Sequence, residues 1–263
     1  HRDFDSRVTG FADMVNGKNF AYDDCGHGTH ICGIIGGSGR MSGGRCSGIA
    51  PGCNLIMVKV LDRKGNGYSS DVLAGISWVL ERKEQLGIRI LNISVGACSK
   101  RGMSENSALV KGVNRAWDAG LVVVVAAGNN GPRTMSITTP GISRKVITVG
   151  CSDDDREVLV GGNRMVDYSG RGPTAACICK PDLVAPGCSV VSCSSRADKY
   201  TIKSGTSMST PIVSGAVALL LERFPDMSNK DVKLRLRESS VDIGLPRNQQ
   251  GWGMLNVEKM IGK

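Results

Sequence analysis

The sequence predicts an α/β fold of three layers, a mostly parallel sheet covered by helices on both faces. Two observations carry this. Apolar runs of strand length alternate with helix-compatible stretches along the chain, the order in which strand–helix–strand units are wound. The runs at 54–61 (NLIMVKVL), 89–95 (RILNISV) and 121–127 (LVVVVAA) are apolar on both faces rather than alternating, which suits parallel strands covered on each side. With 263 residues, 41% of them hydrophobic, the chain is large enough to bury one core, and a single domain over 1–263 is expected.

In chain order, residues 1–22 are polar and read as irregular. His27-Gly28-Thr29-His30 opens a small, apolar stretch to Gly37 that reads as a buried helix, and the loop 38–47 is glycine-rich and basic. After the strand at 54–61 comes a turn at 62–67 (DRKGNG), then an amphipathic helix capped by Ser69 or Ser70 and running to about Gln85. The strand 89–95 precedes a helix-compatible stretch at 104–119. The strand 121–127 ends in the turn Gly128-Asn129-Asn130-Gly131, and 146–149 is a further short strand. Short strands and loops punctuated by Gly172-Pro173 and Lys180-Pro181 lead to a buried helix opened by Gly205-Thr206-Ser207, with Pro211 in its first turn. A charged amphipathic helix at 229–239 and a Gly251-Trp252-Gly253 tail complete the chain.

Composition narrows the classes of function. The net charge is +9, but Lys and Arg are scattered (Arg63-Lys64, Arg82-Lys83, Lys100-Arg101) and aromatics make up only 4%, which argues against a nucleic-acid surface. The longest apolar run, 212–221, is too short to span a membrane. No Gly-x-Gly-x-x-Gly joins a strand to a helix, so a nucleotide-binding reading is disfavoured. The ten cysteines form neither a CxxC pair nor a compact disulfide framework. They read as free, mostly buried thiols, which leans toward a reducing, cytoplasmic setting, and no zinc site is expected. Neither an initiator Met nor a signal-like segment opens the sequence.

Two positions carry the chemistry. A serine at the start of a helix stands among unpaired N–H groups at the positive end of the helix dipole, where a developing oxyanion is favoured; read alone, Gly205-Thr206-Ser207 is also compatible with an ordinary Ser/Thr cap. His27, at the mouth of another buried helix, reads equally as a general base or as a satisfied cap. In parallel sheets functional groups gather at the carboxyl ends of strands, where Ser94-Val95-Gly96 and Asn129 lie.

Taken together, His27-Gly28-Thr29-His30, Ala126-Ala127-Gly128-Asn129 and Gly205-Thr206-Ser207-Met208, with Ser47-Gly48-Ile49-Ala50-Pro51 and Asp182-Leu183-Val184-Ala185-Pro186-Gly187, resemble the subtilisin family of serine peptidases. The likeness covers nearly the whole chain and is nearest to bacterial subtilases that often lack a conventional secretion signal. It implies a subtilisin-like fold and an endopeptidase in which Ser207 is the nucleophile, His27 the general base, and the Asn129 side chain with the Ser207 N–H the oxyanion hole. It implies that Gly65-Asn66-Gly67 and Ser94-Val95-Gly96 hold an extended protein or peptide substrate, or an N-terminal propeptide, by main-chain hydrogen bonds. Asn130 and Thr138 would lie near the pocket for the side chain preceding the cleaved bond and give it a neutral or apolar preference. His30 would have a structural role, Cys25 would be a thiol near the cleft, and no cofactor is needed for the chemistry.

The resemblance also marks departures. The family's acid lies in an Asp-(Thr/Ser)-Gly strand end just upstream of a turn that His1-Arg2-Asp3-Phe4 resembles, so that strand would precede residue 1. None of Asp3, Asp5, Asp13, Asp23 and Asp24 is assigned as the triad acid. A catalytically impaired subtilase fold that binds peptide without cutting it is the alternative reading. The Gly36 to Cys46 loop has no Asn/Asp cluster for calcium.

Overall fold

The computed structural model describes residues 1–96 and 104–262; the basic pair Lys100-Arg101 lies outside them. In chain order come a 3-10 helix over Arg2–Arg7, β1 (Val8–Asp13), α1 (His27–Gly36), β2 (Leu55–Lys59), α2 (Ser69–Arg82), β3 (Ile90–Ile93), α3 (Ala108–Asp118), β4 (Val122–Ala126) and β5 (Ile147–Cys151). The chain continues through β6 (Val158–Val160), β7 (Asn163–Met165), β8 (Leu183–Ala185), β9 (Val190–Cys193), β10 (Tyr200–Lys203), α4 (Thr206–Arg223), α5 (Asn229–Ser239), α6 (Arg247–Gln250) and α7 (Val257–Ile261). Two compact units emerge, His1–Arg89 with Val191–Ile202 and Ile90–Val190 with Lys203–Lys263.

In the first unit β1 pairs in parallel with β2, Ala12 opposite Val58. Residues 1–22 are therefore not irregular as the sequence suggests. Their strand is masked because only Ala12 is fully buried along it, and a register shift between Val8 and Gly10 interrupts its pattern. Nor is β2 buried on both faces, since only Leu55 is fully enclosed. Phe4, Leu55 and Cys193 form the centre of this unit, with Val8, Cys32, Ile35 and Tyr200 packed around them. The helix α2 differs at both ends from expectation. Its N-cap is Tyr68, without a side-chain cap bond, and it stops at Arg82, after which Gly87 at φ 60° turns the chain toward β3.

The second unit holds a four-stranded sheet in the order β3-β4-β5-β8, parallel throughout. Every residue of β4 is buried, as the run of valines requires; each fully enclosed Val contributes about 1.5–3 kcal/mol. The helix α4 packs against all four strands and α3 against β4. The Asn229 side chain at the start of α5 donates to the Trp117 and Leu121 carbonyls at 2.7 and 3.1 Å, tying α5 to the turn between α3 and β4. The tail continues the ladder: Val184 N–H donates to Gly253 and Leu255 N–H to Val184. The β6–β7 hairpin, absent from the sequence reading, turns on Gly161-Gly162 at φ 58° and 88°, conformations that a two-residue hairpin turn demands. These elements belong to the three-layer α/β class. No helix among the described residues is long and apolar enough to cross a membrane.

The thiols differ from expectation. Nine described cysteines are free, but only Cys151 and Cys193 are buried, while Cys177 and Cys179 are exposed. Most cysteines stand on loops or half-covered faces rather than on the enclosed strands.

Candidate active site

The turn before α4 is built from outside the helix. Gly205, its N-cap, has φ 140° and offers no side-chain cap, so the ordinary Ser/Thr cap is not what stands here. Asn129, just beyond the carboxyl end of β4, supplies the cap instead: its Oδ1 accepts from the Thr206 N–H and from Thr206 Oγ1, both at 3.0 Å. Thr206 Oγ1 in turn accepts from the Gly128 N–H at 3.2 Å. With Oδ1 committed twice, the Nδ2 donor of Asn129 flanks the Gly205 turn; a Cβ at Gly205 would lie 3.3 Å from it.

Ser207 is the second residue of α4 and is half-exposed between buried neighbours. Its hydroxyl donates to the Ser94 carbonyl at 2.9 Å. Ser94 follows β3 directly and is held there, since Asn92 Nδ2 donates to Ser94 Oγ and Ser214 Oγ donates to Asn92 Oδ1, each at 2.9 Å. Pro211 is the sixth residue of α4 rather than a member of its first turn. Lacking an N–H, it leaves the Ser207 carbonyl without the usual i+4 donor. That keeps the first turn open at the very residue that carries the hydroxyl.

Val95 and Gly96 run on from Ser94 outside any strand, with Gly96 exposed. Thr138 is buried, its N–H bonded to the Ala127 carbonyl at 2.8 Å. It fills the space between Gly96 and Gly128, where a Cβ on either glycine would collide with its side chain. Asn130 is exposed. The second unit thus gathers Ser207, Asn129, Thr206, Ser94, Gly96 and Thr138 around one turn.

The first unit holds the remaining predicted residues. His27 is the first residue of α1, half-buried behind Gly26 at φ 81°. The helix start is capped by Asp23. Its Oδ1 accepts from the Cys25 and Gly26 N–H groups at 3.0 and 2.7 Å, and its Oδ2 from the Thr29 N–H and hydroxyl at 2.8 and 2.6 Å. Burial alone would raise this carboxyl; the four donors outweigh it and hold the group below the usual range. His30 is fully buried, its Nε2 3.2 Å from the Thr201 carbonyl, while Ser192 Oγ donates to the His30 carbonyl at 2.8 Å. It pins α1 to the β9–β10 pair.

Gly65-Asn66-Gly67 is an exposed loop rather than a strand. It is closed by Asp62, whose N–H donates to the Asn66 carbonyl at 2.7 Å and whose carboxylate receives the Asn66 N–H at 2.9 Å. A Cβ at Gly65 would sit 3.4 Å from Cys25 Sγ, which places that thiol beside the loop. The other nearby carboxylates are engaged structurally. Asp13, at the end of β1, collects the Val15, Asn16 and Lys18 N–H groups and the Tyr22 hydroxyl. These bonds prevail over desolvation and lower its pKa to about 2. Asp24 pairs with Lys59 at 2.6 Å, Asp5 with Arg40 at 3.4 Å, and Asp3 accepts from the Tyr200 hydroxyl at 2.6 Å.

Sequence reasoning missed Thr206 as the link between Asn129 and the serine turn, Asp23 as the cap of α1, and the Asn92–Ser214 pair. Only the Asp23 link has a local signal, in the sequence Asp23-Asp24-Cys25-Gly26.

The subtilase family model, Peptidase S8, matches residues 2–253. The chain is 41% identical to the serine protease AprX of Bacillus subtilis over 280 aligned positions, covering 99% of this chain and 63% of AprX. It is 34% identical to subtilisin DY of Bacillus licheniformis, covering 97% of this chain and 84% of that protein. Among solved structures, sphericase superposes with a TM-score of 0.81 at 30% identity over 98% of this chain and 87% of that one. A cold-adapted subtilisin-like serine proteinase superposes with a TM-score of 0.76 at 29% identity, over 97% of this chain and 82% of its own. The chain therefore belongs to the subtilase family of subtilisin-like serine endopeptidases.

Proposed function

We propose that this chain hydrolyses peptide bonds through an acyl-enzyme on Ser207. The observation that carries the reading is the Asn129–Thr206 interlock, which commits Oδ1 inward and leaves Nδ2 as a donor beside the serine turn. Ser207 attacks the scissile carbonyl, with His27 as the base that takes its proton and returns it to the leaving amine. The Asn129 Nδ2 and the Ser207 N–H receive the oxyanion. The Ser207 hydroxyl turns from the Ser94 carbonyl toward the base as substrate enters.

An extended peptide, whether substrate or propeptide, lies along Ser94-Val95-Gly96 and the loop Gly65-Asn66-Gly67. Thr138 and Asn130 line the pocket for the side chain preceding the cleaved bond; both are neutral, so apolar or neutral side chains are favoured there.

The test is hydrolysis of a fluorogenic peptide set, together with covalent labelling by a fluorophosphonate. Support requires labelling on Ser207, turnover lost in Ser207→Ala and His27→Ala, and faster cleavage after neutral side chains. A folded protein that binds peptides but takes no label would replace this reading with that of a peptide-binding module.

A further inference from the structure

Beneath the serine turn, β5 and the loop after β8 bring together two cysteines that the sequence keeps far apart. Cys151 ends β5 and is fully buried; Cys188 follows β8 by three residues and is half-buried. Their sulfurs and a carboxylate oxygen of Asp153 all lie within 4.8 Å of one another. Asp153 is preset, its Oδ1 accepting from the Gly187 and Cys188 N–H groups at 2.7 and 3.1 Å and from Cys151 Sγ at 3.1 Å. The Tyr168 hydroxyl stands 3.2 Å from Cys151 Sγ and 3.3 Å from Cys188 Sγ. Gly187 leaves the room this needs, since a Cβ there would lie 2.8 Å from Cys151 Sγ.

We propose that Cys151, Cys188 and Asp153 form a binding site for a soft divalent cation such as Zn²⁺. Two sulfurs and one carboxylate oxygen within 4.8 Å of one another are a donor set that a borderline-soft ion takes in tetrahedral geometry. The ion replaces the protons now shared among these groups. Both thiols lose theirs to solvent on binding, and the cation bridges the sulfurs and the carboxylate where Cys151 now donates to Asp153. The Tyr168 hydroxyl, which donates to the Gly187 carbonyl at 3.3 Å, packs against both sulfurs, and solvent takes the fourth position on the half-exposed side. The site abuts the catalytic turn: the Gly187 carbonyl receives the Gly205 N–H at 2.9 Å.

The experiment titrates the reduced full chain with Cd²⁺, following the thiolate-to-metal ultraviolet band, with Zn²⁺ as competitor. Ser207→Ala prevents self-cleavage, and Cys177→Ser with Cys179→Ser removes the exposed, closely spaced pair. Near-ultraviolet circular dichroism checks folding. The expected result is one Cd²⁺ per chain, displaced by Zn²⁺, with affinity reduced more than about 10-fold by Cys188→Ser and also reduced by Asp153→Asn. No one-equivalent band in the folded background protein, or a band whose affinity is unchanged in both variants, overturns the site.

Discussion

The helix starts that carry His27 and Ser207 solve one problem in two ways. Each follows a glycine at positive φ, Gly26 at 81° and Gly205 at 140°, and at neither does the N-cap residue cap the helix with its own side chain. At His27 the cap is local, since Asp23 lies three residues before Gly26 and satisfies four donors by itself. At Ser207 it is remote, since Asn129 is 77 positions from Thr206. A local cap stabilises its own helix. A remote one ties the end of β4 to the proposed nucleophile and spends one face of an amide to orient the other.

The sharpest way to separate the two is to remove the groups in turn. Ser207→Ala should lower kcat on the order of 10⁶-fold, the figure known for subtilisin. It should scarcely move the thermal midpoint, because the hydroxyl makes one hydrogen bond, to Ser94. Asn129→Ala should cost about 10²–10³ in kcat, again the value known for subtilisin, with KM nearly unchanged in steady-state peptide assays. If the remote cap orients the amide, Thr206→Val should lose about 10-fold in kcat at constant KM, since the hydroxyl's bond to Asn129, about 1.4 kcal/mol, is removed along with the one it accepts from the Gly128 N–H. Thr206→Ser should restore the rate; equal rates in Thr206→Val and the parent would show that Asn129 needs no such partner.

The local cap predicts a stability effect with a defined pH dependence. The carboxyl of Asp23 titrates lower in the folded protein than its ordinary 3.8. Its stabilisation is therefore fully present above that value and lost as pH falls through the folded pKa. Asp23→Ala should destabilise by about 1–2 kcal/mol at neutral pH in denaturant melts, and the gap to the parent should narrow in acid. A gap that stayed constant down to pH 2 would remove the carboxylate from the account.

The folded arrangement also explains which elements could be read in advance. The strand at β4 and the helix α5 were legible because their signals are short-range: a valine run in one, and in the other a Ser228–Asp231 capping box before an amphipathic stretch. The strand β1 was not, because its faces are only partly covered and glycine breaks its alternation. The Gly161-Gly162 hairpin was legible in principle, as two glycines after the apolar run Val158-Leu159-Val160, yet its strands are only three residues each. Pro211 falls a turn deeper in the helix than the sequence suggests because helix starts are set by whichever group caps them, and here that group is Asn129.

By itself, the sequence determined the α/β class, the strongest strand, the family through its three separated motifs, and the residue types able to do acyl transfer. Those properties follow from periodicity and from residues adjacent in the chain. The tertiary structure alone decided that Asn129 turns its oxygen toward Thr206, that Ser207 rests against the Ser94 carbonyl, and that the polar ends of Cys151, Asp153 and Cys188 lie within 4.8 Å of one another. Each of these depends on which strand ends a parallel sheet sets side by side. In such a sheet neighbours are joined by long crossovers, so partners across it leave no fixed spacing in the sequence.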